Sequence, residues 1–169
     1  MNSLEIKELL RKKAYAYNHI FIPEFTWENL RIDALLLDTG HKWIRGYEIK
    51  TKRIDFQRDQ KWTEYSQFCS SLCIVCPESL IDKKEIKAPF GLIWIIKSDN
   101  YSGFWNEKDK CYYDVIYKKK PKNFQKRNSL SWLWTYNNVL TLEIRRLYFE
   151  NEQIKSIPKI KEILQKEVE

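Results

Sequence analysis

Three polar residues occur where a buried sheet would carry apolar side chains. Asp33 interrupts the apolar run 30–37, and Glu48 and Lys50 lie two positions apart in the next extended segment. Residues two apart in a strand point to the same face of the sheet. Two adjacent carboxylates repel each other unless a cation lies between them. Mg²⁺ binds one or two carboxylates together with substrate phosphate oxygens, and a neighbouring lysine stabilises charge on that phosphate. The three residues therefore predict metal-assisted phosphodiester hydrolysis.

A predicted β-hairpin brings these three residues together. An Asp-Thr-Gly-His turn signal separates two strands that we predict at 30–37 and 43–50. With the turn centred on its Thr-Gly pair, the numbers of paired residues add up to about 79–81, so Asp33 faces residues 46–48. A buried ion pair between Lys50 and either carboxylate is the alternative interpretation of the same pattern.

The other segments predict an α/β fold with a mixed sheet. We expect helices at 3–17 (with Ser3 as N-cap), at 54–70, at 129–148 with an interruption near Asn137-Asn138, and from Pro158 to about Lys166. We expect further extended segments at 19–25, 72–76, 91–97, 103–106 and 111–118. A change of composition after Tyr117 predicts two parts, an α/β core over 1–118 and a basic linker with a helical C-terminal extension over 119–169.

Composition limits the classes of function. The chain has 169 residues, 43% of them hydrophobic and 15% aromatic, which is typical of a folded domain and excludes a disordered tail. No apolar run is long enough to span a bilayer and the first twenty residues lack a signal-peptide pattern, so we predict a cytoplasmic protein without a membrane partner. The net charge of +7 favours nucleic acid as the partner.

Four cysteines offer a second kind of chemistry. Cys69, Cys73 and Cys76 are close in sequence and Cys111 follows later, which leaves open a four-thiolate zinc or iron–sulfur site. Buried, reduced cysteines are the simpler interpretation, because the three cysteines run from a helix end into an apolar strand. Such a strand would point Cys73 and Cys76 to opposite faces.

Several linked motifs resemble a known family. The runs Ile-Pro-Glu-Phe at 22–25, Leu-Arg-Ile-Asp-Ala at 30–34 and Tyr-Glu-Ile-Lys-Thr-Lys at 47–52 resemble the PD-(D/E)XK nuclease superfamily, and more narrowly its MmcB-like DNA-repair endonucleases. The similarity continues, in matching order, through Asp55-Phe56, Asp59-Gln60-Lys61-Trp62, Tyr65, Cys69, Pro77 and Gly91-Leu92-Ile93. Ile32 replaces an alanine of the family and Thr51 a serine.

The resemblance implies a fold and a site. It implies a restriction-endonuclease-like core, with a central mixed β-sheet flanked by helices, to which this chain adds a C-terminal helical extension. It implies Asp33, Glu48 and Lys50 as catalytic residues, with Asp33 and Glu48 as ligands of Mg²⁺, for which Mn²⁺ can substitute. Glu24 matches an upstream glutamate that can add a further ligand.

The expected activity is metal-dependent endonucleolytic hydrolysis of DNA, in DNA repair or mobile-element processing. The alternative is a catalytically silent or partner-dependent nucleic-acid-binding module of the same fold. The strand structure of the DNA and the formation of a homodimer stay open. We expect supporting roles at the site for Glu8, Asp55, Asp59 and Lys61, and nucleic-acid contacts from basic residues, namely Lys52, Arg53, Lys118, Lys119, Lys120 and Lys122.

Overall fold

The computed structural model describes residues 1–38, 40–59, 61–99, 103–124 and 130–150, without the side chains of 130–134, 145–146 and 148–150. The elements in chain order are α1 (Ser3–Ala16), β1 (Ile20–Trp27), β2 (Leu30–Asp38), β3 (Trp43–Ile49), α2 (Arg53–Arg58), a 3₁₀ helix (Lys61–Gln67), β4 (Ser71–Pro77), β5 (Gly91–Ser98), β6 (Phe104–Asn106), β7 (Cys111–Lys119) and α3 (Leu130–Glu150). The helix that we predict from Pro158 lies outside the described residues.

The described strands form one mixed sheet in the order β1-β2-β3-β4-β5-β7-β6. β3 pairs parallel with β4, and β4 pairs parallel with β5. The other neighbouring strands pair antiparallel. The hairpin pairs Ala34 with Tyr47 and Leu37 with Ile44, within the predicted register. The predicted α/β class with a mixed sheet is confirmed.

Helices cover both faces of the sheet. On one face, α1 buries Ile6, Leu9, Leu10 and Ala14 against side chains of the central strands. On the other face, α2, the 3₁₀ helix and α3 bury a second cluster of side chains, including Phe56, Tyr65, Phe68, Tyr136 and Val139. Burial on both faces explains why β2 and β4 are apolar almost throughout.

The start of α1 differs from the prediction by one residue. Asn2 is the N-cap rather than Ser3: its Oδ1 accepts a hydrogen bond from the Glu5 backbone N–H at 2.9 Å. The Glu5 carboxylate accepts one from the Asn2 backbone N–H at 2.8 Å. This reciprocal capping box satisfies two backbone donors that helix geometry leaves unpaired.

The single helix predicted over 54–70 is wrong. α2 ends at Arg58, and Asp59 adopts an extended conformation (φ −86°, ψ 123°) before the 3₁₀ helix begins at Lys61. Asp59 accepts hydrogen bonds from the Lys61 backbone N–H and from the Lys50 side chain. These hydrogen bonds compete with the continuation of the helix. The apolar periodicity of the sequence does not indicate them. Asp55 and Asp59 therefore do not lie one turn apart on a helix.

Two boundaries in the C-terminal half also differ from the prediction. β7 continues to Lys119, one residue beyond the predicted strand, so Lys119 belongs to the sheet and not to a basic linker. α3 runs unbroken through Asn137 and Asn138. Its burial against the sheet at Tyr136 and Val139 compensates for the low helix propensity of asparagine.

Gly46 on β3 lies where two elements approach closely. A Cβ at this position would stand 2.6 Å from Ile32 Cδ1 and 2.7 Å from Leu72 Cδ1. Because overpacking a core typically costs about 1–3 kcal/mol, we expect Gly46→Ala to lower the free energy of unfolding by that amount in urea denaturation. Gly40→Ala, whose Cβ would meet only Asp38 Oδ1 at 3.4 Å, is the matched control. Equal stabilities of the two variants would contradict the close packing.

Candidate active site

The regular pleat of the sheet is interrupted at Glu24 and Asp33. β1 and β2 pair in one register on both sides of this point, yet residues 24 and 33 do not pair with each other. Ile32 belongs to the core under α2, whereas Ala34 belongs to the core under α1, although residues two apart in a regular strand share a face. Glu24 has a positive φ of 53°. The interruption turns two carboxylates out of the normal alternation.

Asp33 is held by the neighbouring strand. Its Oδ2 accepts a hydrogen bond from the Ile49 backbone N–H at 2.8 Å. Its Oδ1 lies 3.7 Å from the ammonium of Lys7, and the side chain is 27% exposed. One carboxylate oxygen is therefore fixed by the backbone of β3, and the other lies near the Lys7 ammonium.

Lys50 directly follows β3 and lies between two carboxylates. Its Nζ donates hydrogen bonds to Glu48 Oε1 at 2.9 Å and to Asp59 Oδ2 at 2.5 Å. Its backbone N–H donates to the carbonyl of Val75 at 2.8 Å, which anchors the residue to β4. The Lys50 side chain is 9% exposed, so its charge is largely desolvated. Hydrogen bonds to both carboxylates outweigh that burial and raise the pKa of Lys50.

Glu48 is the least satisfied charged group of this cluster. Burial, together with repulsion from Asp33, raises its pKa to about 7. Its Oε2 is buried and has no hydrogen-bond partner. A buried carboxylate oxygen without a partner is costly, which is expected where a ligand supplies the missing interaction.

Asp33 and Glu48 fit a hard divalent cation. Mg²⁺ is held by one or two carboxylates, with water and substrate phosphate completing its coordination. Among the described residues, no group of three or more His, Cys, Asp or Glu side chains is placed to hold a metal ion by itself. Glu48 Oε2, which is buried and has no hydrogen-bond partner, is the carboxylate oxygen whose missing interaction such a cation would supply.

Glu24 has two cationic partners. Its Oε1 accepts a hydrogen bond from Lys7 at 2.7 Å and its Oε2 accepts one from Arg31 at 2.7 Å. Lys7 thereby bridges Glu24 and Asp33. The sequence pattern does not single out Lys7, whose one signal is its place beside Ile6 at the edge of the apolar face of α1.

The four residues predicted to support the site, Glu8, Asp55, Asp59 and Lys61, lie in different surroundings. Asp59 contacts Lys50 directly. Glu8 instead pairs with Arg11 at 2.8 Å, on the rim of a surface cavity of about 390 Å³ that Lys7 and Glu24 also line. The side chains of Asp55 and Lys61 are exposed, and Lys61 touches the cluster only through its backbone N–H.

The six basic residues predicted to contact nucleic acid have different surroundings. Arg53 pairs with Glu85, and Lys119 donates a hydrogen bond to the Ile86 carbonyl. The Lys118 ammonium lies 4.5 Å from the centre of the Trp94 ring. Lys52, Lys120 and Lys122 are exposed, as are Arg53 and Lys118. The exposed lysines are better placed than Arg53 for contacts with phosphate.

The cysteines divide between the two faces of the sheet. Cys69 and Cys76 belong to the core under α2, and Cys73 belongs to the core under α1. All four cysteines are free, and Cys111 is half-buried on β7. Thiols on opposite faces of a sheet cannot ligate one ion. A thiolate site that Cys73 shares with Cys69 and Cys76 is therefore wrong.

Comparison with known proteins supports the fold and is silent on activity. No protein-family model and no curated protein matches the chain. The chain is similar to the solved structure of SPO1766, a protein of unknown function from Silicibacter pomeroyi, with a TM-score of 0.58 and 23% identity over 82% of this chain and 86% of that one. Within the described residues, no helix combines the length and apolarity needed to cross a membrane.

Proposed function

We propose that this protein is a metal-dependent nuclease that hydrolyses phosphodiester bonds in DNA. The observation that carries the proposal is the cluster of Asp33, Glu48 and Lys50, in which Glu48 Oε2 is buried without a partner. Two carboxylates that need a cation, beside a lysine, are the parts required for metal-assisted attack of water on phosphorus. The sequence resemblance to MmcB-like nucleases points to the same three residues and to DNA repair or mobile-element processing.

In this proposal each residue has a separate task. Asp33 and Glu48 would hold Mg²⁺, which when bound polarises the phosphate and lowers the pKa of an attacking water. Lys50 donates hydrogen bonds to the phosphate oxygen that gains negative charge. Asp59 keeps the Lys50 ammonium in place, and the Ile49 N–H keeps Asp33 in place. The water loses a proton as its oxygen bonds to phosphorus, the bond to the leaving oxygen breaks, and the leaving oxygen takes up a proton.

The topology supports a restriction-endonuclease-like core. α1 precedes a three-stranded antiparallel unit, α2 follows it, and β4 then pairs parallel with β3. In this arrangement Asp33 lies in the middle strand of the unit, and Glu48 and Lys50 lie at the end of the strand that joins it to the parallel part. The active-site residues of the proposed nuclease therefore come from adjacent strands of one rigid sheet.

The charge of the chain supports DNA as the substrate. The net charge of +7 attracts a polyanion, and exposed Lys52 follows Lys50 by two residues. Electrostatic contacts to phosphate supply most of the sequence-independent affinity of proteins for DNA. Lys120 and Lys122 extend the exposed basic surface beyond β7.

One observation favours the silent or partner-dependent alternative. Glu24 is bound by Lys7 and Arg31, and Lys50 is bound by Glu48 and Asp59, so internal ion pairs engage much of the site. In a partner-dependent nuclease, a partner or DNA would have to rearrange these pairs before metal binds. In a silent module they would simply persist.

A cleavage assay on several substrates tests the proposal. The wild-type protein would be incubated with supercoiled plasmid, single-stranded DNA, branched DNA and RNA, each in Mg²⁺, Mn²⁺ or EDTA. We expect cleavage of at least one DNA substrate with either metal and none in EDTA. DNA binding without cleavage in any condition would instead support the binding module.

A further inference from the structure

A separate pocket lies on the α1 face of the sheet, away from the Glu48–Lys50–Asp59 contacts. Its volume is about 280 Å³ and its walls include two cations and several rings, namely Lys13, Tyr17, His19, Trp43, Arg45 and Tyr117. We refer to it as the Arg45 pocket. Tyr47, which also lines it, is adjacent in sequence to Glu48 but points to the opposite face of β3, as alternation requires.

The guanidinium of Arg45 is held rigidly by neutral groups. Its Nε donates to Ser71 Oγ at 3.2 Å and its Nη1 donates to the Tyr117 hydroxyl at 2.6 Å. The guanidinium also lies over the Trp43 ring, 4.6 Å from its centre. Within the described part of the chain, no ion pair includes Arg45 and no hydrogen bond uses its Nη2.

Lys13 brings a second positive charge into the same pocket. Its Nζ donates to the Val115 carbonyl at 2.8 Å and lies over the Tyr117 ring. Burial lowers the pKa of Lys13, and the charge of Arg45 lowers it further, whereas Asp114 raises it. No described carboxylate forms an ion pair with either cation; Asp38 pairs instead with His19 and His41.

Two half-buried cations that form no ion pair with a described carboxylate are unfavourable unless an anion joins them. Desolvated charges need a partner of opposite sign, and an arginine with free N–H groups in a fixed plane is suited to bidentate contact with phosphate. A phosphate monoester carries a charge near −2 at neutral pH, which matches two cations better than a carboxylate or a diester does. The volume leaves room for a small organic group beside the phosphate.

We propose that the Arg45 pocket binds a phosphate monoester, whose phosphate lies between Arg45 and Lys13. The Tyr17 ring, 65% exposed at the rim, offers a surface for a planar ring of the ligand. A nucleoside monophosphate and the 5′-phosphorylated end of a DNA strand carry the same group. This site is independent of the proposed nuclease site, since it shares no side chain with Asp33, Glu48 or Lys50.

Calorimetric titrations in EDTA test the pocket, because EDTA removes any metal from the nuclease site. The ligands would be inorganic phosphate, thymidine 5′-monophosphate, and a thymidine dinucleotide with and without a 5′-phosphate. The variants would be Arg45→Met and Lys13→Met. Lys12→Met is the matched control, because Lys12 also donates to a backbone carbonyl, that of Trp105, but lies outside the pocket.

We expect saturable binding of at least one phosphate monoester, weakened at least about tenfold by Arg45→Met and several-fold by Lys13→Met. Lys12→Met should bind like the wild type. Preference for the phosphorylated dinucleotide would identify a strand end as the ligand, and preference for the mononucleotide would identify a free nucleotide. If Arg45→Met does not fold, by circular dichroism, Lys13→Met decides. Absence of saturable binding, or equal loss in Lys12→Met, would overturn the proposal.

Discussion

Replacement of Lys50 by alanine is expected to lower the rate of metal-dependent DNA cleavage by roughly a hundredfold to a thousandfold. That is the usual effect of removing one preorganised donor from a developing negative charge. Lys50 is preorganised in this sense, since Glu48 and Asp59 fix its ammonium and little of it is exposed. Rates would be measured under single-turnover conditions, so that chemistry is separated from DNA binding.

The same variant leaves the buried Glu48 and the half-buried Asp59 without their cation. Removing one partner of a buried pair can destabilise a protein by about 3–5 kcal/mol, so folding must be checked by circular dichroism. Lys50→Arg keeps the charge and serves as a second variant, with slower cleavage expected because the planar guanidinium does not reproduce the ammonium geometry. Lys83→Ala, an exposed lysine outside the site and outside the residues predicted to contact nucleic acid, is the control. Wild-type cleavage rates in folded Lys50→Ala would contradict the assigned role.

Glu48→Gln is expected to make the metal-free protein more stable at pH 8 while abolishing cleavage. Burial raises the pKa of Glu48 to about 7, above its ordinary value of 4.5. Folding therefore takes up a proton between pH 4.5 and 7, and the free energy of unfolding falls as pH rises through that window. Above pH 7 the buried charge costs roughly 3 kcal/mol, at 1.36 kcal/mol per unit. Glutamine has no charge to bury, so it avoids this loss.

Urea denaturation in EDTA at pH 5 and pH 8 measures the effect. At pH 8 we expect Glu48→Gln to exceed the wild type in free energy of unfolding by roughly 1–3 kcal/mol, because the lost ion pair with Lys50 offsets part of the gain. At pH 5 the difference should vanish or change sign. Glu64→Gln, an exposed neighbour, should leave the pH dependence of stability unchanged. If the free energies of unfolding of the wild type and Glu48→Gln differed by the same amount at pH 8 and at pH 5, that result would contradict the burial of an ionised Glu48.

The parts of this structure that depend on local pairing could be predicted from the sequence. A hairpin with a short turn pairs residues at a constant sum, so placing Asp33 opposite the Glu48 region needed no long-range information. The apolar pattern of β2 and β4 likewise indicated strands buried on both faces. The resemblance to a nuclease family selected the same residues.

The parts that depend on tertiary contacts could not be predicted. Helical periodicity continues across Asp59, whereas the hydrogen bonds that Asp59 accepts from Lys50 and from the Lys61 backbone N–H compete with continuation of α2. Lys7 reaches Asp33 because α1 crosses the strand next to Asp33. The spacing of residues within α1 does not indicate this crossing. The Arg45 pocket joins residues 13, 45 and 117 of three separate elements, and no motif links them.

Cleavage of DNA by the wild-type protein and by Asp33→Asn, measured side by side in Mg²⁺ and in EDTA, tests the central claim most directly. Asparagine keeps the size of Asp33 and an oxygen that can accept from the Ile49 N–H, but it lacks the charge that holds a divalent cation. We predict Mg²⁺-dependent cleavage by the wild type. We predict that Asp33→Asn still binds DNA but does not cleave it. Equal cleavage by both proteins, or cleavage that persists in EDTA, would contradict a metal-dependent site at Asp33 and Glu48.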